Sequence, residues 1–204
     1  MDPVLNTGIF KTPGRAWVAV TVYTALLYST LTVAFRIYVY FFDRLGKPFM
    51  SRFMAGIYIP VGLALLVFMF MRLPRRWGGY VAFLLIGLTL AFCLRIIEIP
   101  AKRFHFLEYR PLTVLVFDAL RFRVRDRFLY VWTFLVVALL GLGDEIIQGI
   151  LPNRYFGLSE VVTNAAAGLL TLAFIGFVMG EENYPWGIRR RARGAGEPSR
   201  DAAR

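Results

Sequence analysis

Three groups of polar residues stand in otherwise apolar sequence and are the strongest candidates for chemistry in this chain. They are Lys102, His105 and Tyr109; then Asp144, Glu145 and Gln148; and then Arg154, Glu160 and Asn164. Spacings of three or four residues recur within these groups, and such spacings place side chains on one face of an α-helix. We therefore predict that all nine line one binding site, provided that the three groups fold to the same end of the protein.

His105 and Glu145 are the two candidates for catalysis. A histidine side chain titrates near neutral pH and can act as a general base or a proton donor, and a carboxylate can share that work. The alternative for His105 is an interfacial histidine whose ring is satisfied by Glu108 or Glu145. The sequence has no glycine-rich phosphate loop, HExxH motif, serine elbow or CxxC pair, so it indicates no nucleophile. Whether the protein is an enzyme stays open.

The carboxylates also raise the question of a metal ion. Asp144, Glu145 and Glu160, together with His105, offer the oxygen and imidazole ligands that suit Mg²⁺, Mn²⁺ or Zn²⁺. Nothing in the spacing fixes a ligand geometry, and a buried network of ion pairs with lysine and arginine side chains explains the same residues. We therefore predict neither a metal site nor a cofactor.

The basic residues suggest a different kind of ligand. A chamber at the outer leaflet would be lined by four cations, Lys102, Arg154, Arg95 and Arg110. Arginine forks match the oxygens of a phosphate group, and Gln148 and Asn164 would add neutral donors. We expect an anionic headgroup there, such as that of a phospholipid or a polyprenyl-phosphate carrier.

Five long apolar runs must position these residues, at 16–42, 54–71, 80–99, 128–148 and 159–179. About 20 helical residues cross a bilayer core of roughly 30 Å. The hydrophobic content of 58% and the mean hydropathy of +0.58 exceed those of a soluble domain. The sequence predicts an all-α, polytopic transmembrane helical bundle over residues 16–180, between a short lead at 1–15 and a basic, disordered cytoplasmic tail at 181–204.

The segment at residues 104–120 decides the number of spans. It is short and contains Glu108, Arg110, Pro111 and Asp118, so it is a short span, a re-entrant half-helix or a surface helix. The positive-inside rule is obeyed with five spans and with six. Six spans gather most of the other ionisable groups at one membrane face, where they compensate one another. We favour six spans, with both termini in the cytoplasm, over the alternative of five.

Small side chains inside the apolar runs are interpreted as packing features. Cys93 is the single cysteine of the chain, which excludes an internal disulfide. The run Ala165, Ala166, Ala167 and Gly168 predicts that a neighbouring helix approaches closely.

Two stretches resemble the signatures of the VanZ-like family of bacterial membrane proteins. The first is Lys102-Arg103-Phe104-His105-Phe106, followed by Tyr109 and Leu112. The second is Asp144-Glu145-Ile146-Ile147-Gln148, followed by Pro152, Arg154, Glu160, Asn164 and Gly168. The resemblance covers residues 98–180. The family usually has an aspartate where this chain has Glu160, whose carboxylate reaches one methylene further.

The resemblance implies a multi-pass protein of the bacterial inner membrane, in a family whose founding member is linked with resistance to the glycopeptide teicoplanin. Together with the polar groups it favours a cell-envelope protein that binds membrane lipids. The alternatives are a structural or accessory subunit of a membrane complex, and an enzyme of lipid-linked substrates. The net charge of +11 does not indicate a nucleic-acid partner, because basic loops against anionic headgroups explain it.

Overall fold

The structure is a computed structural model that describes residues 9–72, 77–152 and 154–179. Helices account for 87% of these residues, and no strand occurs among them. The prediction of an all-α protein is therefore confirmed. The predicted cytoplasmic tail at 181–204 and the first eight residues of the predicted lead lie outside the described residues.

The described residues form six α-helices and a π-helical turn. They are α1 (Pro13–Arg72), α2 (Trp77–Ile96), α3 (Pro100–Arg103), α4 (His105–Leu120), α5 (Phe128–Ile150), α6 (Leu158–Ala173) and the π-helical turn (Phe174–Met179) that continues α6. Four of these helices are long and apolar enough to cross a membrane, namely α1, α2, α5 and α6 with its π-helical turn. This agrees with the predicted membrane class.

The longest helix, α1, is interrupted at one residue. Its 60 residues would extend about 90 Å if straight, several times the thickness of a bilayer core. Gly46 has φ 74° and ψ 170°, a backbone conformation that is open essentially to glycine alone. The break between the predicted runs at 16–42 and 54–71 is thus reduced to Gly46, and the second half of α1 begins before residue 54.

The first half of α1 runs antiparallel to α4. Just before α1 begins, near one end of the bundle, the backbone N–H of Phe10 donates to Asp118 Oδ2 at 3.1 Å. Further along α1, the hydroxyl of Tyr23 donates to the backbone oxygen of Glu108 at 2.9 Å. Because the position in α4 falls as the position in α1 rises, the two helices point in opposite directions.

The second half of α1 returns across the bundle. The hydroxyl of Tyr58 donates to the backbone oxygen of Arg103 in α3 at 2.6 Å. Further along, the ring of Phe70 lies 5.1 Å from the ring of Tyr80 near the start of α2. Since α2 ends just before α3, the second half of α1 and α2 form an antiparallel pair.

The helices α5 and α6 form a second antiparallel pair, and they pack closely. A Cβ added to Gly141 would lie 2.8 Å from the Cβ of Asn164. A Cβ added to Gly168 would lie 3.1 Å from Val137 Cγ1. The close approach predicted around Gly168 is therefore confirmed.

The segment whose role the sequence left open, α4, is the central helix. Nine of its 16 residues are buried, whereas no residue of α2 is. It packs against α1, α5 and α6, and it runs parallel to α6, because His105 lies near Glu160 while Thr113 lies near Gly168. Polar residues are tolerated in α4 because protein surrounds it on most sides.

Candidate functional site

Lys102, His105 and Glu160 meet at the end of the bundle where α4 and α6 begin. Pro100 opens α3, a helix position that suits proline because no hydrogen bond is lost there. Lys102 Nζ lies 3.2 Å from Glu160 Oε1, and His105 Nε2 lies 3.2 Å from Glu160 Oε2. Glu160 stands in the first turn of α6, so one carboxylate joins the start of α6 to α3 and α4.

His105 is buried between two carboxylates. While Nε2 faces Glu160, Nδ1 lies 3.5 Å from Glu108 Oε2 and has no hydrogen-bond partner. A separation of 3.5 Å is too long for a good hydrogen bond. The imidazole therefore interacts closely with Glu160 through Nε2, whereas its interaction with Glu108 through Nδ1 is electrostatic only.

Glu145 is fully buried, and its carboxylate is held by neutral groups. Its Oε2 accepts the backbone N–H of Gly157 at 3.0 Å, and its Oε1 accepts the side-chain amide of Gln148 at 3.2 Å. Within the described ranges, no lysine or arginine forms an ion pair with it. A Cβ at Gly157 would lie 3.1 Å from Glu160 Oε1 and 3.6 Å from Glu145 Oε2. Both carboxylates therefore lie close to Gly157, which has no side chain between them.

Asp144 and Tyr109 form a buried pair deeper in the bundle. The hydroxyl of Tyr109 donates to Asp144 Oδ2 at 3.0 Å, and Asp144 Oδ1 has no hydrogen-bond partner. Asn164 is fully buried where α5 and α6 touch, and neither polar atom of its amide is paired. Unpaired buried polar atoms are uncommon in proteins and call for an explanation.

Arg154 links the loop after α5 to two other parts of the chain. Its Nη2 donates to Gln148 Oε1. Its guanidinium carbon lies 4.6 Å from the centre of the Phe35 ring in the first half of α1, a distance typical of a cation–π contact.

The structure brings the nine predicted site residues to one end of the bundle. Lys102, His105 and Glu160 form one linked set; Glu145, Gln148 and Arg154 form a second; Tyr109 and Asp144 form a third, with Asn164 one helical turn beyond Glu160. By contrast, Arg95 is exposed on α2 and takes part in none of these contacts. The place of Arg95 in the predicted lining of four cations therefore stays a prediction.

Sequence reasoning missed three contributors to this site. Ser159 Oγ accepts a hydrogen bond from Lys102 Nζ at 2.9 Å, Gly157 provides its backbone N–H, and Phe35 provides its ring. Ser159 and Gly157 adjoin Glu160 in sequence and could have been proposed on that ground. No local signal marks Phe35, which is more than 100 residues from its partner.

A second polar cluster lies at the opposite end of α4, about 20 Å away along the helix. Buried Asp118 pairs with Arg121, and Arg121 Nη2 donates to the backbone oxygen of Phe10 at 2.8 Å. Asp118 is one of the polar residues of the segment at 104–120, and the sequence indicated no partner for it. The contacts attach the chain before α1 to the end of α4.

Three of the site residues have an arrangement that a cation could use. Ligand atoms of His105, Glu145 and Glu160 all lie within 4.8 Å of one another. One imidazole and two carboxylates suit divalent first-row metals.

No family model, curated protein or solved structure matches this chain.

Proposed function

We propose that the chain is a six-span, VanZ-like protein of the bacterial inner membrane that binds the phosphate headgroup of an anionic lipid or lipid-linked envelope precursor. Lys102 and Arg154 hold the headgroup at the outer face of the membrane. One observation carries the proposal: these cations, which lie in separate segments, attach to the same polar cluster, Lys102 through Glu160 and Arg154 through Gln148.

Both cations keep part of their surface for a ligand. The side chain of Lys102 is 23% exposed, and Arg154 is partly exposed. Arg154 uses Nη2 for Gln148, and a guanidinium carries five N–H groups in a planar fork. Such a fork suits two oxygens of one phosphate group.

The surface beside Arg154 favours a lipid over a soluble anion. Ile150, Tyr155 and Leu158 are 79%, 87% and 67% exposed around the loop between α5 and α6. Aromatic and apolar side chains of this kind are typical of the interface between headgroups and acyl chains. Acyl chains could lie against them while Arg154 contacts the headgroup.

The alternating helix directions support six spans. The two halves of α1, then α2, α4, α5 and α6, reverse direction at each step of the chain. The 16 residues of α4 extend about 24 Å, short of a full hydrocarbon core, but α1, α5 and α6 enclose it. A span enclosed by protein does not need the length or the apolar surface of one that faces lipid.

A structural role is the second candidate, and one observation favours it. Lys102 and Arg154 already have protein partners, Glu160 and Gln148, so the network could serve only to fix helix packing. In that case replacing either cation would lower stability without changing lipid binding.

Arg154→Ala tests the proposal. We expect the purified variant to retain phosphatidylglycerol about tenfold or more weakly than wild type, because a hydrogen bond to a charged group contributes roughly 1.5–3 kcal/mol. Native mass spectrometry of lipids retained in detergent measures this. Arg125→Ala removes the same charge from an exposed position in the loop between α4 and α5, and it should retain lipid like wild type.

Lys102→Gln should behave like Arg154→Ala. Equal lipid retention in wild type and in these two variants, with thermal stability lowered, would reject headgroup binding and favour the structural role.

A further inference from the structure

We infer that His105, Glu145 and Glu160 form a binding site for one divalent cation of the Zn²⁺ or Mn²⁺ class. This departs from the sequence-based expectation of no metal site. It does not depend on headgroup binding, because the three ligands are distinct from Lys102 and Arg154.

The geometry of the three side chains is close to what a bound ion needs. Donors bound at about 2.1 Å in a tetrahedral arrangement lie roughly 3.4 Å apart. His105 Nε2 and Glu160 Oε2 are 3.2 Å apart, and one ligand atom from each of the three residues lies within 4.8 Å of the other two. Side-chain rotations that move the carboxylate oxygens of the two glutamates by about an ångström would therefore complete the set of three protein ligands.

The local charges favour a cation. Four carboxylates stand in or beside the trio, those of Glu108, Asp144, Glu145 and Glu160. In the described part of the chain, the permanently charged cations that act on them are Lys102 and Arg154. Buried carboxylates without a paired cation are strongly unfavourable. With the carboxylates ionised and His105 neutral, the state in which such residues bind a metal, a divalent ion would offset a formal excess of two negative charges.

Two buried polar atoms point independently to a ligand. Asp144 is 3% exposed, and its Oδ1 has no hydrogen bond of good geometry, with the side-chain amide of Gln148 as a neighbouring donor. Asp144 directly precedes the ligand Glu145 in α5. His105 Nδ1, also buried, lacks a hydrogen bond as well. Asp144 would serve in the outer shell that orients ligands and tunes a bound metal, and the Nδ1 of the ligand His105 would face Glu108 in that shell.

A titration of the full chain with the metal alone tests the inference. The purified protein in detergent is treated with a chelator, dialysed, and titrated with Zn²⁺ and separately with Mn²⁺ by calorimetry. We expect one ion per chain in wild type. We expect at least about a hundredfold weaker binding in Glu145→Gln and in Glu160→Gln, because even outer-shell changes weaken metal sites 10- to 100-fold.

Glu98→Gln is the matched control, since Glu98 is exposed outside the trio, and it should bind the ion like wild type. If a glutamate variant does not fold, the midpoint of thermal unfolding decides: Zn²⁺ or Mn²⁺ should raise it in wild type and not in His105→Gln. No ion bound by wild type, or equal binding by all variants, overturns the inference. Ion binding is measured without added lipid and lipid retention without added metal, so failure of headgroup binding and failure of the metal site are separate results.

Discussion

Two adjacent carboxylates on α5, Asp144 and Glu145, reach different neighbours. Successive residues of an α-helix point about 100° apart, so Asp144 meets Tyr109 on α4 while Glu145 meets the backbone N–H of Gly157 ahead of α6. Because both carboxylates are enclosed, they depend on protein donors for the solvation that water would supply. One turn of α5 thus attaches to both neighbouring segments.

We expect Tyr109→Phe to lower the free energy of unfolding by about 1–3 kcal/mol, because a buried acceptor loses its donor. The aromatic ring is kept, so packing in the bundle changes little. Chemical unfolding in detergent, followed by circular dichroism, measures the change. Tyr155→Phe is the control. Tyr155 is 87% exposed, so loss of its hydroxyl should change the free energy of unfolding by no more than about 0.5 kcal/mol. Equal losses in both variants would contradict a supporting role of Tyr109 toward Asp144.

At the scale of elements, the reversal of α1 depends on a single residue. Helical residues stand on both sides of Gly46, which alone within α1 adopts a non-helical conformation. Without it the 60-residue helix would extend well beyond a bilayer. The reversal also lets both halves reach the polar end of the bundle, where Phe35 contacts Arg154 and Tyr58 contacts Arg103.

Gly46→Ala should lower the free energy of unfolding by about 1–3 kcal/mol, because a side chain at this positive φ is strained. Gly56→Ala on the same helix is the control, since no atom lies within 4 Å of an added Cβ there. It should raise stability by about 0.5–1 kcal/mol, as alanine does inside a helix. Thermal unfolding of both variants in detergent provides the comparison. If Gly46→Ala proves as stable as Gly56→Ala, the reversal does not require glycine.

At the scale of the described molecule, many large apolar side chains are exposed, while several polar side chains are buried between helices. α2 exposes Val81, Leu84, Leu88 and Phe92, while buried polar side chains such as Asp144 and Asn164 lie between helices. This arrangement suits a lipid environment, which solvates apolar side chains and excludes unpaired polar ones.

Six spans predict which loops share a membrane face. After replacement of Cys93, single cysteines at Trp77, Arg125 and Tyr155, all exposed, can be tested with a membrane-impermeant thiol reagent in intact cells. We expect Trp77→Cys and Arg125→Cys to be protected together and Tyr155→Cys to be labelled. With five spans, Trp77→Cys and Tyr155→Cys would behave alike and Arg125→Cys would differ.

The helices could largely be predicted from local patterns. The run predicted at 128–148 corresponds to Phe128–Ile150, and the run at 159–179 to α6 with its π-helical turn. The run at 80–99 is shifted, because the helix begins at Trp77 and ends at Ile96. Long apolar runs are visible in sequence because crossing a hydrocarbon core requires them. The length and apolar content of the segment left α4 ambiguous. These properties identify helices that face lipid, whereas α4 mostly contacts other helices.

Residue type and helical spacing by themselves determined an all-α chain with long apolar helices, and they named the polar residues of the candidate site, because both properties are local. Only the tertiary structure decided that α4 is central, that Glu160 joins Lys102 to His105, and that Phe35 contacts Arg154. The tertiary structure also places the carboxylates of Asp144, Glu145 and Glu160 at one end of the bundle, where Lys102 and Arg154 are the neighbouring cations among the described residues. These contacts join segments that are far apart in sequence, so they depend on how the whole bundle closes and not on any local pattern.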